Sequence, residues 1–155
     1  MALVPLYIKR VNREIQNENF NKKINDDLSC YLCNNHVNSM IFQMFIGDKY
    51  VANIELNFGP QYPFRNPKVK INNMLYHSVL KSNLPNILYK ATRRRCLCCS
   101  SLTCSYNWKP INNTYDLLNE IKNNLEIKIK CIELLHVYKI KNKYLIDDIP
   151  IEKFL

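Results

Sequence analysis

The chain has 155 residues, of which 47% are hydrophobic, and this suffices for one domain, residues 1–155, with a real apolar core. Its two glycines exclude a glycine-rich phosphate loop. Because it has neither a membrane-length apolar run nor a signal peptide, we expect a soluble cytoplasmic protein that could also enter the nucleus. The net charge of +9 is scattered, without a basic stripe interleaved with aromatics, which argues against nucleic acid as a main partner.

The first predicted element is an amphipathic helix from residue 6 to about residue 19. Apolar side chains recur in this segment at helical spacing, at Leu6, Ile8, Val11 and Ile15. The other side is basic, with Lys9, Arg10 and Arg13, and such a face either is solvated or docks an acidic partner. We interpret the polar run of residues 17–27 as the connection that follows this helix.

Alternating apolar residues predict four antiparallel strands arranged as a meander. The alternation runs through residues 28–32, 40–46, 50–58 and 69–71. Gly47 and Asp48 form a short turn between the second and third of these segments. Trp108, the single tryptophan, is predicted to be a core residue that anchors the loop after the sheet.

A long loop between Phe58 and Pro110 carries most of the chemistry. It contains four of the seven cysteines, Cys96, Cys98, Cys99 and Cys104. Because seven is an odd number, a complete disulfide framework cannot use them all, which leaves free thiols, a metal site or a catalytic thiol. Structural zinc on the four loop cysteines is the alternative to a reactive thiol, since zinc favours tetrahedral thiolates. Cys30 and Cys33 should point to opposite faces of their strand.

The last predicted element is a long helix that packs across the sheet. Asn113 suits the N-cap, and Asp116 lies in the favourable first turn. An apolar stripe continues to about His136 and consists of Leu118, Ile121, Leu125, Ile129 and Ile132. We expect the apolar tail of residues 144–155 to dock on the body of the protein. A helix, a sheet, a long active loop and a helix together indicate an α+β fold.

Several motifs follow one another in the order known from ubiquitin-conjugating enzymes. They are NFGPQYPF with PKV at residues 57–69, LYH at 75–77, RCL at 95–97, WKP at 108–110 and DLL at 116–118. On these motifs the chain resembles that family over most of residues 3–135. The resemblance implies an N-terminal helix, a four-stranded antiparallel meander, a long active-site loop and a long helix on the sheet, with the family's C-terminal helices reduced. The short Gly47-Asp48 connection indicates a divergent member, for which a viral origin is an open alternative.

The resemblance also implies a nucleophile. In the family a cysteine that precedes leucine carries the modifier as a thioester, and this selects Cys96 in the present chain. The neighbouring run Arg93-Arg94-Arg95 favours the thiolate form of that cysteine. Cys98 is the alternative nucleophile, because its distance from Trp108 in the sequence is nearer to that of some family members.

The sequence offers two candidates for the residue that stabilises the oxyanion. The family has contiguous histidine, proline and asparagine, and the asparagine stabilises the oxyanion that forms when a lysine attacks the thioester. Here His77 is followed by serine and valine. Either His77 keeps its place ahead of an insertion, or Asn86 in the segment Leu84-Pro85-Asn86 takes the oxyanion role, unless it is only a turn residue after the proline.

The partners implied by the resemblance are ubiquitin or a ubiquitin-like protein, a ubiquitin-activating enzyme and a ubiquitin ligase. Lys9, Arg10 and Arg13 match the dock for the activating enzyme, whereas Phe64 and Pro110 match the ligase contact. No cofactor is implied, because the activating enzyme consumes the ATP. We therefore predict an acyltransferase that moves the modifier to a substrate lysine. The alternative is an inactive variant of the fold that binds ubiquitin or serves as a scaffold, with zinc on the cysteines.

Overall fold

The computed structural model describes the backbone of residues 4–81, 85–94 and 96–142, together with their side chains except those of residues 85–87, 91 and 138–142. The helices in this part of the chain are α1 (Leu6–Ile15), α2 (Glu18–Leu28), α3 (Tyr76–Leu80), α4 (Pro85–Thr92) and α5 (Thr114–Asn142). The strands are β1 (Cys30–Asn35), β2 (Ser39–Ile46), β3 (Tyr50–Asn57), β4 (Lys68–Ile71) and β5 (Met74–Leu75).

The strands form one antiparallel sheet in which each strand pairs with the next one along the chain. The predicted α+β fold and its four-stranded meander are therefore confirmed, with β5 as a short addition. Two residues are too few to show an alternating pattern, which is why β5 could not be predicted. The turn at Gly47 joins β2 to β3, and its φ of 60° is a conformation that glycine adopts without strain.

One apolar core holds the sheet against α5. Alternate residues of β2 and β3 are buried, as the period of two requires, and they are Met40, Phe42, Met44, Ile46, Ala52, Ile54 and Leu56. They share a single buried cluster with the apolar stripe of α5. Each large side chain in this cluster gains roughly 1.5–3 kcal/mol from burial. The long helix α5 is therefore the second layer of the domain. The segment that follows the sheet packs on this helix.

The polar run of residues 17–27 is a helix rather than the predicted connection. The Asn17 side chain accepts a hydrogen bond from the Asn19 backbone N–H at 3.1 Å and so caps α2. Phe20, Ile24 and Leu28 recur every four residues, and the last two are buried. This narrow apolar stripe suffices because it packs on an existing core, but it is hard to recognise because the other residues of α2 are all polar. The first helix accordingly ends at Ile15 instead of continuing to residue 19.

The predicted long loop contains two helices, α3 and α4, and a 3₁₀ turn at Cys98–Ser100. Pro85 occupies the first position of α4, where its missing N–H leaves no helical hydrogen bond unmade. Leu88 is buried and anchors α4. None of the described helices has the length and apolar character that crossing a membrane requires.

The start of α5 confirms the predicted cap. Asn113 Oδ1 accepts from the Asp116 N–H, and Asp116 Oδ2 accepts from the Asn113 N–H, each at 3.0 Å. This reciprocal arrangement satisfies backbone donors that a helix start leaves free. The predicted docking of residues 144–155 lies outside the described residues.

Stability should fall as pH rises above 9, because Cys30 on β1 is completely buried. Burial, reinforced by Cys33, raises the pKa of the Cys30 thiol from 9.0 to about 12. The unfolded chain releases this proton above pH 9 while the folded chain retains it, so unfolding becomes more favourable up to about pH 12. Cys30 alone accounts for up to about 4 kcal/mol over this interval.

Urea unfolding at a series of pH values measures this dependence. Burial also raises the pKa of Tyr62 and Tyr76, so part of the alkaline slope belongs to these phenols. The Cys30→Val variant retains them and should lose stability less steeply above pH 9. Equal slopes for the variant and the wild type would contradict the assignment to Cys30.

Candidate active site

Three cysteines lie together on the loop that follows α4. The sulfur atoms of Cys96, Cys98 and Cys99, here called the cysteine cluster, all lie within 4.8 Å of one another. Cys96 and Cys98 are joined by a disulfide, with their Cα atoms 5.7 Å apart. The Cys99 sulfur is 3.9 Å from that of Cys98. Cys104 does not belong to this group, so among the described residues the four-thiolate zinc site that the sequence suggested is not assembled.

Leu97 determines how the cluster sits on the protein. Its side chain is 0% exposed, whereas Cys96 and Cys98 are half-buried and Cys99 is exposed. The Ser100 hydroxyl donates to the Leu97 carbonyl at 3.2 Å and closes the 3₁₀ turn. The cysteine-leucine pair thus places Leu97 in the core and the Cys96 sulfur, here bonded to Cys98, nearer the surface, where a reactive thiol must lie once it is reduced.

Glu120 on α5 fixes the loop just after the cluster. Its carboxylate accepts hydrogen bonds from the Ser101 hydroxyl at 2.6 Å and from the Leu102 backbone N–H. The Tyr76 hydroxyl donates to the same carboxylate at 3.2 Å. Ser101 and Tyr76 are each 1% exposed, so water cannot replace these bonds. Glu120 therefore connects the cysteine segment to α3, which carries His77.

Asn107 and Trp108 hold the far end of the same loop. The Asn107 side-chain amide donates to the carbonyls of Cys99 and Ser101 at 2.8 and 2.9 Å. Trp108 is 7% exposed, which confirms that it is a core residue, and its Nε1–H donates to the Pro63 carbonyl at 2.7 Å. The segment that follows the cluster is thus held near its start by Glu120 and at its end by Asn107 and Trp108.

Glu14 joins α1 to two distant parts of the chain. One carboxylate oxygen accepts from Arg10 Nε at 2.8 Å and from the Tyr62 hydroxyl at 2.7 Å. The other oxygen accepts from the Thr114 hydroxyl at 2.7 Å and from its N–H at 3.1 Å. Burial, and then the charge of Glu14, raises the pKa of Tyr62 well above its ordinary value. This network holds the segment before β4 against the start of α5.

Sequence reasoning missed Glu14 and Glu120. The spacing of four between Arg10 and Glu14 predicts a helical ion pair, but it gives no indication of Tyr62 or Thr114. Glu120 stands three residues after buried Leu117, at the edge of the apolar stripe of α5. A carboxylate that is partly buried beside apolar residues needs hydrogen-bond donors. The position of Glu120 in the sequence could therefore have indicated that it binds other groups.

The two oxyanion candidates lie on different helices. His77 is exposed on α3, directly after the anchored Tyr76. Asn86 belongs to the first turn of α4, so the segment that follows Pro85 is helical and not a simple turn. The Asn86 side chain lies outside the described residues, and the oxyanion assignment therefore stays a prediction.

Two comparisons with known proteins bear on this geometry. A segment of 74 residues is 32% identical to the ubiquitin-conjugating enzyme E2-18 kDa of Drosophila melanogaster. The structure of human ubiquitin-conjugating enzyme E2 G1 superposes with a TM-score of 0.51 and 18% identity, over 80% of this chain and 98% of that one. The chain therefore has the fold of ubiquitin-conjugating enzymes. No protein-family model matches it.

The sequence similarity covers only part of the chain. The matched segment is 48% of the chain and spans only 40% of the length of the Drosophila relative. The structural likeness, at 18% identity, establishes the fold alone.

The two residues that are predicted to contact a ligase, Phe64 and Pro110, both lie at the surface. The Phe64 side chain is 76% exposed, and Pro110 is exposed as well. Ile111, which follows, is 80% exposed. The hydrogen bond between Trp108 and Pro63 ties the loops that carry these side chains to each other. Exposed apolar residues on two joined loops are typical of a protein contact.

The basic face of α1 is smaller than predicted. Lys9 and Arg13 are exposed and free to meet a partner through charge. Arg10 instead forms the ion pair with Glu14, whose hydrogen bond is the main cause that raises the pKa of Arg10. The predicted docking role of Arg10 is therefore shared with a structural one.

Proposed function

We propose that this protein carries ubiquitin, or a similar modifier, as a thioester on Cys96 and transfers it to a substrate lysine. The observation that supports this most is the placement of Cys96, beside a buried leucine on a loop fastened by Glu120 and Trp108. A nucleophile held in this way can meet a large acyl donor without losing its position. The fold, which is that of conjugating enzymes, provides the setting.

The first step is thioester exchange. With the cluster reduced, the Cys96 thiolate attacks the carbonyl of the activating enzyme's thioester, and the activating enzyme's cysteine leaves as a thiolate. One carbon–sulfur bond forms as another breaks, so the exchange needs no metal or nucleotide on this chain. Arg93 and Arg94, both exposed just before the cluster, favour the thiolate through their charge.

The second step is transfer to an amine. A substrate lysine attacks the Cys96 thioester, an oxyanion forms, and collapse of the intermediate yields an amide and regenerates the thiol. Donors that face the oxyanion lower this barrier, typically by about 3 kcal/mol for each one. His77 and Asn86 are the proposed donors, and alanine variants that still charge but discharge slowly would identify the one that acts.

A charging assay tests the proposal. Reduced protein is mixed with activating enzyme, ATP and ubiquitin, and a non-reducing gel is examined for an adduct that a thiol reductant removes. We expect the adduct with wild type and with Cys98→Ala, and its complete loss with Cys96→Ala. Loss with Cys98→Ala alone would move the nucleophile to Cys98. Folded protein that forms no adduct with several modifiers would contradict catalysis and favour the inactive, ubiquitin-binding module.

Replacing Phe64 with alanine should impair the ligase step selectively. Because this side chain is 76% exposed, its removal should change the free energy of unfolding by less than about 0.5 kcal/mol and leave charging intact. Discharge stimulated by a ligase should fall about tenfold, as for an interface anchor. Val37→Ala, which truncates a side chain 69% exposed between β1 and β2, is the matched control. Equal effects of the two variants would argue against a ligase contact at Phe64.

Structural zinc is the alternative use of the cysteine cluster. Three thiolates within 4.8 Å of one another could bind the ion, but a tetrahedral site needs a fourth ligand, and Cys104 lies apart from them. Metal analysis of the reduced protein distinguishes the two uses. One equivalent of zinc that is lost on Cys96→Ala would favour the structural site.

A further inference from the structure

We propose that Cys96 and Cys98 form a reversible disulfide that turns the nucleophile off under oxidising conditions. The inhibitory consequence rests on the proposed function, whereas the disulfide itself is a feature of the structure. While Cys96 is bonded to Cys98, it has no thiolate with which to attack a thioester. Disulfide formation would therefore modify the proposed nucleophile itself.

The turn that carries the cluster brings the two sulfurs together. The Cα atoms of Cys96 and Cys98 are 5.7 Å apart, close to the separation most common in protein disulfides. The Cys98 backbone N–H lies 3.3 Å from the Cys96 sulfur and donates to it. Buried Leu97 lies between them and keeps both cysteines on the same turn. The reduced loop needs little rearrangement to close the bond.

The other thiols of the loop are poorer partners. Cys99 is within 3.9 Å of the Cys98 sulfur, but adjacent residues have Cα atoms only about 3.8 Å apart, below the range that an ordinary disulfide spans. Cys104 is not among the sulfurs that lie within 4.8 Å of one another. The structure itself bonds Cys96 to Cys98 and leaves Cys99 as a free, exposed thiol.

The oxidant is a low-molecular-weight disulfide such as glutathione disulfide. The Cys96 thiolate attacks one of its sulfurs, and one glutathione leaves as a thiolate. The Cys98 thiolate then attacks the Cys96 sulfur of this mixed disulfide and expels the second glutathione. The two protein thiols lose two electrons, glutathione disulfide gains them, and the two glutathione thiolates take up the protons. Excess reduced glutathione reverses both exchanges.

In the test, the reduced protein is treated with glutathione disulfide, free thiols are blocked with an alkylating agent, and the disulfide is mapped by mass spectrometry. Wild type and Cys99→Ser should each show an internal Cys96–Cys98 bond. Cys98→Ser, an equal substitution in the same turn, should instead retain a glutathione on Cys96. The same mixed disulfide in all three proteins, or a bond between other cysteines, would overturn the proposal.

Charging is then measured on the same samples. Oxidised wild type should charge about tenfold less or worse than reduced wild type, with full recovery after reduction. If oxidised protein with the mapped bond charged as well as reduced protein, the switch would be refuted. If the bond formed but reduced protein did not charge either, the proposed function would fail while the modification site stood.

Discussion

Replacing Glu14 with alanine should lower the free energy of unfolding by about 3 kcal/mol. The substitution removes the acceptor for Arg10, Tyr62 and Thr114 in one step. Arg10 is exposed enough to turn to water, since 39% of its side chain is accessible. Tyr62 and Thr114 are only 3% and 1% exposed, so their donors would be left buried without an acceptor, and this is the main cost.

Urea unfolding measures the effect, with Arg13→Ala as the control because it changes an exposed neighbour on the same helix. Tyr62→Phe, which deletes a single hydroxyl, should cost about 1 kcal/mol. The double variant should cost less than the sum of the two single changes, because both remove the same hydrogen bond. Additive effects, or a loss for Glu14→Ala no greater than for Arg13→Ala, would contradict the network.

Replacing Glu120 with alanine should be similarly damaging, by about 3 kcal/mol, and should also slow charging. The variant leaves the Leu102 N–H and the buried Tyr76 hydroxyl without their acceptor. The loop after the cysteine cluster then loses its attachment to α5. Because that loop continues directly from the cluster that contains Cys96, we expect a charging rate that falls even at temperatures where the variant is fully folded.

Glu133→Ala is the matched control, since it removes an exposed carboxylate from the same helix. Unfolding experiments and single-turnover charging should be performed on the same preparations. Tyr76→Phe should reproduce a part of the stability loss, because its hydroxyl is one of the donors to Glu120. Unchanged charging by folded Glu120→Ala would show that the carboxylate stabilises the fold without positioning the nucleophile.

The parts of the fold that follow a strong period could be predicted from the sequence. Alternation through Phe42 and Ile54 specifies strands with one buried face, and the confirmed core position of Trp108 follows from its size and apolar surface. Helix α2 escaped prediction because Ile24 and Leu28 are its only buried side chains among polar residues. Local pattern is a weak guide where a short stripe depends on the rest of the core.

The candidate site also has features that could be predicted from the sequence and features that could not. A cysteine followed by leucine can be recognised from the sequence alone. The structure adds that the leucine of this pair, Leu97, is buried and so anchors the cysteine segment. The contact between Glu14 and Thr114 spans 100 residues, so no spacing rule could reveal it. Its existence depends on how α1 and α5 pack, which is a property of the tertiary structure. The nearness of Cys96 to Cys98 likewise depends on the turn and not on the sequence spacing alone.

Locating the modifier on the charged protein tests directly whether Cys96 carries it as a thioester. Reduced wild type is charged with ubiquitin, acidified to preserve the thioester, digested with pepsin and analysed by mass spectrometry. We predict that the C-terminal fragment of ubiquitin is attached to the peptide that contains Cys96, through a bond that hydroxylamine cleaves. Attachment to Cys98, Cys99, Cys104 or a lysine, with Cys96 reduced and unmodified, would contradict the assignment of the nucleophile to Cys96.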